Sequence, residues 1–381
     1  EGFYFAPKSA YSSDGDGARG LKDMVKACHK AGIEVVLEMP FCTGADKMMM
    51  LECLRYYVME YHIDGFILNP LVIPIESVHA DPVLKKTKIM EHELGFQTVM
   101  RRFLKGDEGM IPDVIYWLKH HSEKQGIFNC ITDQNGFTLN DLVSYDSKHN
   151  EENGEQNLDG SSWNFSNNYG VEGPTRKRYI NALRKLNWRN AVLMLMLAQG
   201  VPLLWSGDEM GNSQNGNNNA CCQDNPTGWV NWKNEKSHRR QIEFLQQVIA
   251  FRKEHTVLSN PMPFQFSDYK SLGYPDLSYH GTSAWMLEPT PDHLCLGMLY
   301  CGAYAQNEKE PDVYVAYNFL AAATELALPK PRKGKEWVVC IDSGEEDAAF
   351  LDAPKPVSGG KIILRPQTIC VLESREMKKH G

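Results

Sequence analysis

Residues 20–39, GLKDMVKACHKAGIEVVLEM, join an amphipathic helix to a short strand. The apolar residues of the first part recur at helical spacing and share one face: Leu21, Met24, Val25 and Cys28. Gly32 favours a helix end, because glycine readily adopts the left-handed backbone that closes a last turn. Residues 33–39 are apolar and β-branched, as in a strand that is covered on both faces. The stretch therefore predicts one helix-and-strand unit of an α/β fold.

The same alternation continues towards residue 260. Further strand patterns occur at residues 64–69, 86–90, 127–133 and 201–207, and helical patterns separate them. Strands that alternate with helices form a parallel sheet, and the length suits a (β/α)8 TIM-type barrel better than an open doubly wound sheet. No glycine-rich phosphate-binding pattern follows any of these strands, so the sequence gives no support for a nucleotide cofactor.

The pattern changes after a helix that ends near His255. From Pro261 onward, short strands alternate with Pro and Gly turns, which is typical of a small antiparallel β-sandwich. The sequence therefore predicts two domains, an α/β barrel over residues 1–260 and a C-terminal β-sandwich over residues 261–381. Because only part of a barrel can be assigned, we expect its first strands to precede Glu1.

The composition argues against several classes of function. The chain of 381 residues has a formal net charge of −8, which argues against a nucleic-acid partner. Its most apolar run, residues 191–205, is interrupted by Gln199, Gly200 and Pro202 and is too short for a membrane helix. The 10 cysteines form no C-x-x-C pairs, which favours reduced thiols and a cytoplasmic location. No cofactor motif and no metal-ligand spacing is found, so we expect neither a cofactor nor a metal.

Several long blocks resemble the isoamylase and glycogen-debranching branch of the α-amylase superfamily, glycoside hydrolase family 13. The blocks are YFAPKSAYSS (4–13), LKDMVKACHKAGIEVVLE (21–38), GFTLNDLVSYDSKHNEENGEQNLDGSSWN (136–164), GVEGPT (170–175) and GDEMGNSQNGNNNACCQDNPTGWVNW (207–232). The resemblance implies a barrel followed by a β-sandwich. It also implies an α-glucan partner (glycogen, starch or malto-oligosaccharide) and a glucan-binding β-domain upstream of Glu1.

The resemblance further implies a set of catalytic residues that this sequence does not preserve. The family uses an aspartate nucleophile, a glutamate acid/base and a second, stabilising aspartate. Its nucleophile strand reads Gly-Phe-Arg-Phe-Asp, whereas this chain has Ile67 at the arginine position and Asn69 at the nucleophile position. The family's His-Asp pair before GFTL is replaced by Gln134 and Asn135, the latter at the stabiliser position. A carboxamide cannot attack the anomeric carbon as a carboxylate does.

The acid/base position is altered as well. The family pattern Lys-x-x-Ala-Glu-Pro-Trp becomes KIMEHEL, residues 88–94, which puts His92 at the glutamate position, or Glu91 if one residue is deleted. The family's first conserved strand reads Asp-Val-Val-Tyr-Asn-His, whereas this chain has EMPFCT at residues 38–43. Glu38, Cys42 and Thr43 therefore stand where the family has Asp, Asn and His. We expect impaired catalysis, because catalytic groups that act as a unit are not replaced one by one.

Three functions are compatible with these residues, and we favour the first. The first is an α-glucan-binding member of the family that does not hydrolyse its ligand. The second is an active debranching hydrolase of α-1,6 links that uses displaced carboxylates near strand ends: Glu38, Glu91, Glu93 and Asp133. The alternative for these carboxylates is that they are solvated or ion-paired loop residues. The third is a non-catalytic subunit that pairs with an active homologue.

The candidate glucan contacts lie mainly in two loops, residues 160–173 and 208–232. The predicted substrate-binding residues are Gln134, Asp208, Glu209, Trp229 and Trp232. The two tryptophans stand in polar surroundings, where an indole face suits the C–H surface of a glucose ring. An Asn-rich tract of this kind is often a flexible loop, but the resemblance favours an ordered loop that shapes a cleft.

Overall fold

The computed structural model describes residues 3–92, 94–120, 126–287, 290, 292–345 and 349–377. Within it the chain forms two compact units. Unit 1 comprises Glu1–Glu93 and Ser122–Phe128, and unit 2 comprises Leu94–His121 and Asn129–Gly381.

Unit 1 is a layer of parallel strands and helices. Its elements are α1 (Gly17–Lys30), β1 (Val36–Glu38), α2 (Lys47–Tyr61), β2 (Gly65–Ile67), α3 (Ile75–Ala80) and β3 (Lys88–His92), followed by the start of β4 (Gly126–Cys130). The strands pair in parallel in the order β1-β2-β3-β4. The strands predicted at residues 33–39, 64–69 and 86–90 are therefore confirmed.

The helices of unit 1 begin and end at residues that suit those positions. The side chain of Asp16 accepts a hydrogen bond from the backbone N–H of Arg19 at 3.0 Å and so caps α1. In the same way, Asp46 caps α2 by accepting the N–H of Met49 at 2.9 Å. After α1, Gly32 has a φ of 73°, which confirms the helix end predicted there. The buried core of this unit includes Leu54 of α2 and Phe66 of β2, both 0% exposed.

The first part of unit 2 is mainly helical. Its elements are α4 (Leu94–Lys105), α5 (Ile111–Lys119), α6 (Leu139–Leu142), α7 (Arg178–Met196), β5 (Val201–Leu203), α8 (Asn234–Ser237) and α9 (Arg239–Glu254). Strand β5 follows β4 in the strand order, which confirms the strand predicted at 201–207. The apolar run of residues 191–205 begins in the buried second half of α7 and continues into β5. In the part of the chain that the structure describes, no helix is long and apolar enough to cross a membrane.

The second part of unit 2 is built from antiparallel strands. They are β6 (Leu277–His280), β7 (Cys295–Tyr300), β8 (Val313–Asn318), β9 (Thr324–Ala327), β10 (Lys335–Asp342), β11 (Phe350–Pro356), β12 (Lys361–Leu364) and β13 (Thr368–Glu376). Six of them form a sheet in the order β11-β10-β13-β8-β7-β6, and β12 pairs with β9. The predicted fold class, a TIM-type α/β part followed by a C-terminal β-sheet part, is confirmed.

Helices and sandwich share one hydrophobic core within unit 2. Buried side chains of α4, α7 and α9 form a single cluster with those of the six-stranded sheet. Polar contacts add to this packing: Arg189 donates its Nε–H to the carbonyl of Ser343 at 2.7 Å, and Asn190 donates to the carbonyl of Gln367 at 2.8 Å. Helices prevail in unit 2 before residue 260 and antiparallel strands after residue 261. The placement of a domain boundary between these two residues stays a prediction.

Candidate functional site

The nucleophile position carries an uncharged side chain that is bonded locally. Asn69 is exposed and lies two residues beyond β2. Its Oδ1 accepts the backbone N–H of Leu71 at 2.9 Å, which is a turn interaction typical of asparagine. Ile67, at the arginine position, is the half-buried last residue of β2. Neither the nucleophilic carboxylate nor the arginine of the family is present in this strand.

The strand register shows which side of the sheet the two candidate carboxylates Glu38 and Glu91 face. Glu38 of β1 is paired with Ile67, and Ile67 is paired with Met90. Paired residues face the same side of a sheet and successive residues alternate, so Glu91 faces the side opposite to Glu38. The Leu68 N–H donates to the Met90 carbonyl at 3.0 Å, which extends the pairing beyond β2.

The same register bears on the two alignments of the acid/base strand. Ile67 pairs with Met90, so residue 92 is level with Asn69, two positions further along both strands. This register puts residue 92, and not Glu91, level with the nucleophile position, and which of the two occupies the acid/base position stays a prediction. Glu93 lies outside the described residues, as does the side chain of His92.

The stabiliser position lies in unit 2, in a turn after β4. Gln134 and Asn135 are both exposed there. Asp133, just before them, is 3% exposed and accepts the backbone N–H of Asn135 at 2.8 Å. The family's His-Asp pair is thus replaced by two neutral amides at the surface, and the nearest carboxylate holds the turn.

Asp208 connects two segments in the interior of unit 2. It is 1% exposed, and its carboxylate accepts hydrogen bonds from the Thr132 hydroxyl and, at 2.7 Å, from the Leu139 N–H. Burial raises the pKa of Asp208 to about 7, against the effect of these hydrogen bonds. The half-buried Glu209 accepts the N–H of Gly207 at 2.9 Å. Asp208 therefore anchors the loop from within, and the sugar contact expected from the sequence stays a prediction.

The Asn-rich loop is ordered by its own amide groups. Asn218 donates its backbone N–H to the side chain of Asn150 at 2.9 Å, and Asn150 donates back to Asn218 Oδ1 at 2.8 Å. Asn218 also donates to Asn164 Oδ1 at 2.9 Å, and the His149 N–H donates to the Gly216 carbonyl at 2.7 Å. The loops at residues 146–164 and 212–219 therefore hold each other.

Asp141 is an anchor that the sequence analysis did not identify. It is 0% exposed, and its carboxylate accepts hydrogen bonds from the Ser213 hydroxyl at 2.5 Å, the Gln214 N–H at 2.7 Å and the Gly216 N–H at 3.3 Å. Burial raises its pKa. The available signal was the spacing of Thr138 and Asp141, a helix-capping pattern. Thr138 does cap α6, but the carboxylate of Asp141 bonds to the distant loop.

The two candidate tryptophans present large exposed faces. Trp229 is 55% exposed and donates its indole N–H to Asp224 at 2.9 Å, and Trp232 is 69% exposed. Trp163, in the neighbouring loop of the network, is 77% exposed. Exposed indoles on an ordered polar loop suit sugar rings, which offer a C–H face and hydroxyl groups. Gln134 shares their unit, whereas Asn69 and Glu91 belong to unit 1.

These features define a class of protein: a TIM-type α/β protein with a C-terminal β-sheet part and ordered polar loops that expose tryptophan side chains. Chloroplastic isoamylase 3 of rice is 27% identical over 98% of this chain and 58% of its own length. The glycogen debranching enzyme of Erwinia tasmaniensis is 31% identical over 69% of this chain and 53% of its own length. The chain thus spans about half the length of these curated relatives.

Solved structures agree on the fold. Pullulanase type I from Bacillus subtilis, in complex with maltose, has a TM-score of 0.68 at 15% identity and matches 97% of this chain and 58% of its own. A pullulanase from Anoxybacillus, in complex with maltotetraose, has a TM-score of 0.65 at 16% identity and matches 98% and 59%. No protein-family model matches the chain. The chain belongs to the isoamylase and glycogen-debranching branch of glycoside hydrolase family 13.

Proposed function

We propose that this protein binds α-glucan (glycogen, starch or malto-oligosaccharide) and does not hydrolyse it by the family mechanism. The observation that carries the proposal is that the nucleophile and stabiliser positions hold Asn69 and Asn135. Retaining hydrolysis needs two carboxyl groups about 5–5.5 Å apart across the scissile bond. Amide side chains supply neither the nucleophile nor the charge that stabilises an oxocarbenium-like transition state.

The strand register opposes rescue by displaced carboxylates in unit 1. Glu38 and Glu91 face opposite sides of the sheet, and the strand between them adds about 10 Å of separation, since neighbouring strands lie about 4.8 Å apart. Asp133 is buried and holds a turn through the N–H of Asn135. Within unit 1, Glu38 and Glu91 therefore do not face one another, which argues against the active-hydrolase alternative.

Binding is supported by what the chain retains. The loop at residues 208–232 is held by Asp141 and Asp208 and exposes Trp229 and Trp232. An ordered loop loses little conformational entropy when a ligand binds. Relatives of the same fold have been solved with maltose and with maltotetraose. A cytoplasmic location and pairing with an active homologue stay predictions; the ten cysteines, all free of disulfides, fit the former.

Calorimetric titration with maltoheptaose tests the binding part of the proposal. We expect saturable binding, and Trp232→Ala should weaken it by about fivefold to tenfold, since a stacking contact contributes about 1–1.5 kcal/mol. Trp285→Ala is the matched control, because Trp285 is 47% exposed but lies outside these loops. No binding by the wild-type protein, or equal weakening by both changes, would overturn the proposal.

A further inference from the structure

A cleft of about 700 Å³ lies in unit 2, apart from the exposed tryptophans of the candidate glucan loop. Its walls come from four places: residues 140–145 after β4, the first half of α7, residues 213–215, and the first half of α9. Phe350 of β11 also lines it. This volume falls within the range of about 300–1,000 Å³ that is usual for ligand-binding pockets.

The rim of the cleft is rich in neutral polar groups. Its side-chain amides come from all four walls: Asn140, Asn181, Asn215, Gln241 and Gln247. Hydroxyl groups of Thr175, Ser213 and Ser237 stand among them. Each amide carries both a donor and an acceptor, and each hydroxyl serves as both. Such a rim matches a ligand whose own groups both donate and accept, as sugar hydroxyls do.

Two of the charged side chains in the cleft wall, Arg184 and Glu243, are engaged with the protein. The guanidinium of Arg184 donates to the backbone carbonyls of Gly173 at 2.6 Å and Asn168 at 2.9 Å. Glu243 accepts from Arg239 at 2.8 Å. These bonds fix the wall, and a group already bonded to protein has less to offer an ionic ligand.

Below the polar rim lies an aromatic floor. Trp188 and Phe244 are 2% and 7% exposed, with ring centroids 6.0 Å apart, and Phe350 is half-buried with its ring 5.8 Å from that of Phe244. The indole N–H of Trp188 donates to the carbonyl of Asp208 at 3.1 Å, so this floor presents ring carbons and not an unpaired polar group. Trp188 and Phe244 belong to the core beneath the cleft, and the half-buried ring of Phe350 beside the amides suits the apolar face and hydroxyl edge of a sugar ring.

We propose that this cleft is a second α-glucan site, which holds a short segment of the chain while the tryptophan loop holds another. The inference rests on the proposed function, because it takes its ligand class from there. Trp229 and Trp232 do not line the cleft, so the two sites can be removed separately. Two sites on one protein raise the effective concentration of a long glucan at each of them.

The test counts maltotriose sites per chain by calorimetry. Gln247→Trp places a large side chain at the rim, and Gln246→Trp is the matched control, because Gln246 is an exposed neighbour on α9 that does not line the cleft. We expect two sites in the wild-type protein and in Gln246→Trp, but one in Gln247→Trp. Thermal unfolding of both variants checks that they are folded.

The outcomes separate this inference from the proposed function. One wild-type site that is weakened by Trp232→Ala and unaffected by Gln247→Trp would refute the cleft and leave the proposed function standing. A single site lost only in Gln247→Trp would refute the placement of binding in the tryptophan loop. No binding of maltotriose or maltoheptaose would refute both, and binding of glucose 1-phosphate without maltotriose would refute the neutral ligand class.

Discussion

Replacing Asp208 by asparagine removes a buried carboxylate whose ionisation opposes folding. The side chain is 1% exposed, and burial raises its pKa from 3.8 to about 7. Asparagine has nearly the same shape. Its Oδ1 can accept the Leu139 N–H, and its amide can donate to the Thr132 hydroxyl, which rotates to accept. The substitution therefore removes the charge while it keeps the connection between the two segments.

The size and sign of the effect follow from proton linkage. Between pH 3.8 and about 7, Asp208 is ionised in the unfolded chain and protonated in the folded protein. The folded state then binds more protons, so its free energy of unfolding falls as the pH rises, by about 1.4 kcal/mol per pH unit. Over the interval from 3.8 to about 7 this amounts to about 4 kcal/mol. Above that interval the contribution is constant.

Urea unfolding of both proteins from pH 4 to pH 8 measures this contribution. The free energy of unfolding of the wild-type protein minus that of Asp208→Asn should fall by about 4 kcal/mol across the range, because all other groups cancel. Asp208→Asn should thus gain stability relative to the wild type as the pH rises. A difference that stays flat, or that increases with pH, would refute the buried, raised-pKa account of Asp208.

Three further predictions concern the frame around the loops and the sandwich. Asp141→Ala should lower the free energy of unfolding by about 2–4 kcal/mol, because three donors lose their acceptor; a loss below 1 kcal/mol would contradict this. Burial lowers the pKa of His255, but hydrogen bonding, above all to Glu373 at 3.2 Å, raises this pKa overall. The protonated imidazole therefore stabilises the fold at pH 6 but not at pH 9, and Glu373→Gln should cost more free energy of unfolding at pH 6. An equal cost at both pH values would refute the ion pair. Gly160→Ala should cost about 2 kcal/mol more stability than Gly154→Ala, measured by thermal unfolding. Both glycines have a positive φ, but only at Gly160 would the new methyl group clash with Asn218, whose Oδ1 lies 2.2 Å away. Equal losses would argue against the amide network.

The alternation of helices and strands was sufficient to predict the fold class. The strand at residues 33–39 and the helix before it were recognisable because the strand residues form a nearly continuous apolar, β-branched run and glycine marks the helix end. The expectation that this strand is covered on both faces was wrong, since β1 is half-buried at Val36 and Leu37 and exposed at Glu38. Strands β6, β7, β9 and β11 were not identified individually. Their residues lie among loops of mixed composition, and β7 is buried at all six positions, which removes the alternation that marks a half-exposed strand.

The candidate site was only partly predictable. Residue identities at Asn69, Gln134 and Asn135 could be read directly, since they depend only on the motif positions. The roles of Asp141 and Asp208 could not, because a carboxylate has the same letter whether it contacts a ligand or holds a distant loop from the interior. The orientation of Glu91 also needed the strand register, since a shift of one residue moves a side chain to the other face.

The central claim is that α-glucan is bound but not cleaved, and the release of reducing ends from a branched α-1,6-linked dextrin tests it most directly. With binding verified in the same preparation, we predict no release above that of a buffer blank over hours, since Asn69 and Asn135 cannot perform the carboxylate chemistry. Release at about 1 s⁻¹ or faster, a rate typical of enzymes, would contradict the claim. Loss of that release in Glu91→Gln would identify a displaced carboxylate as its source.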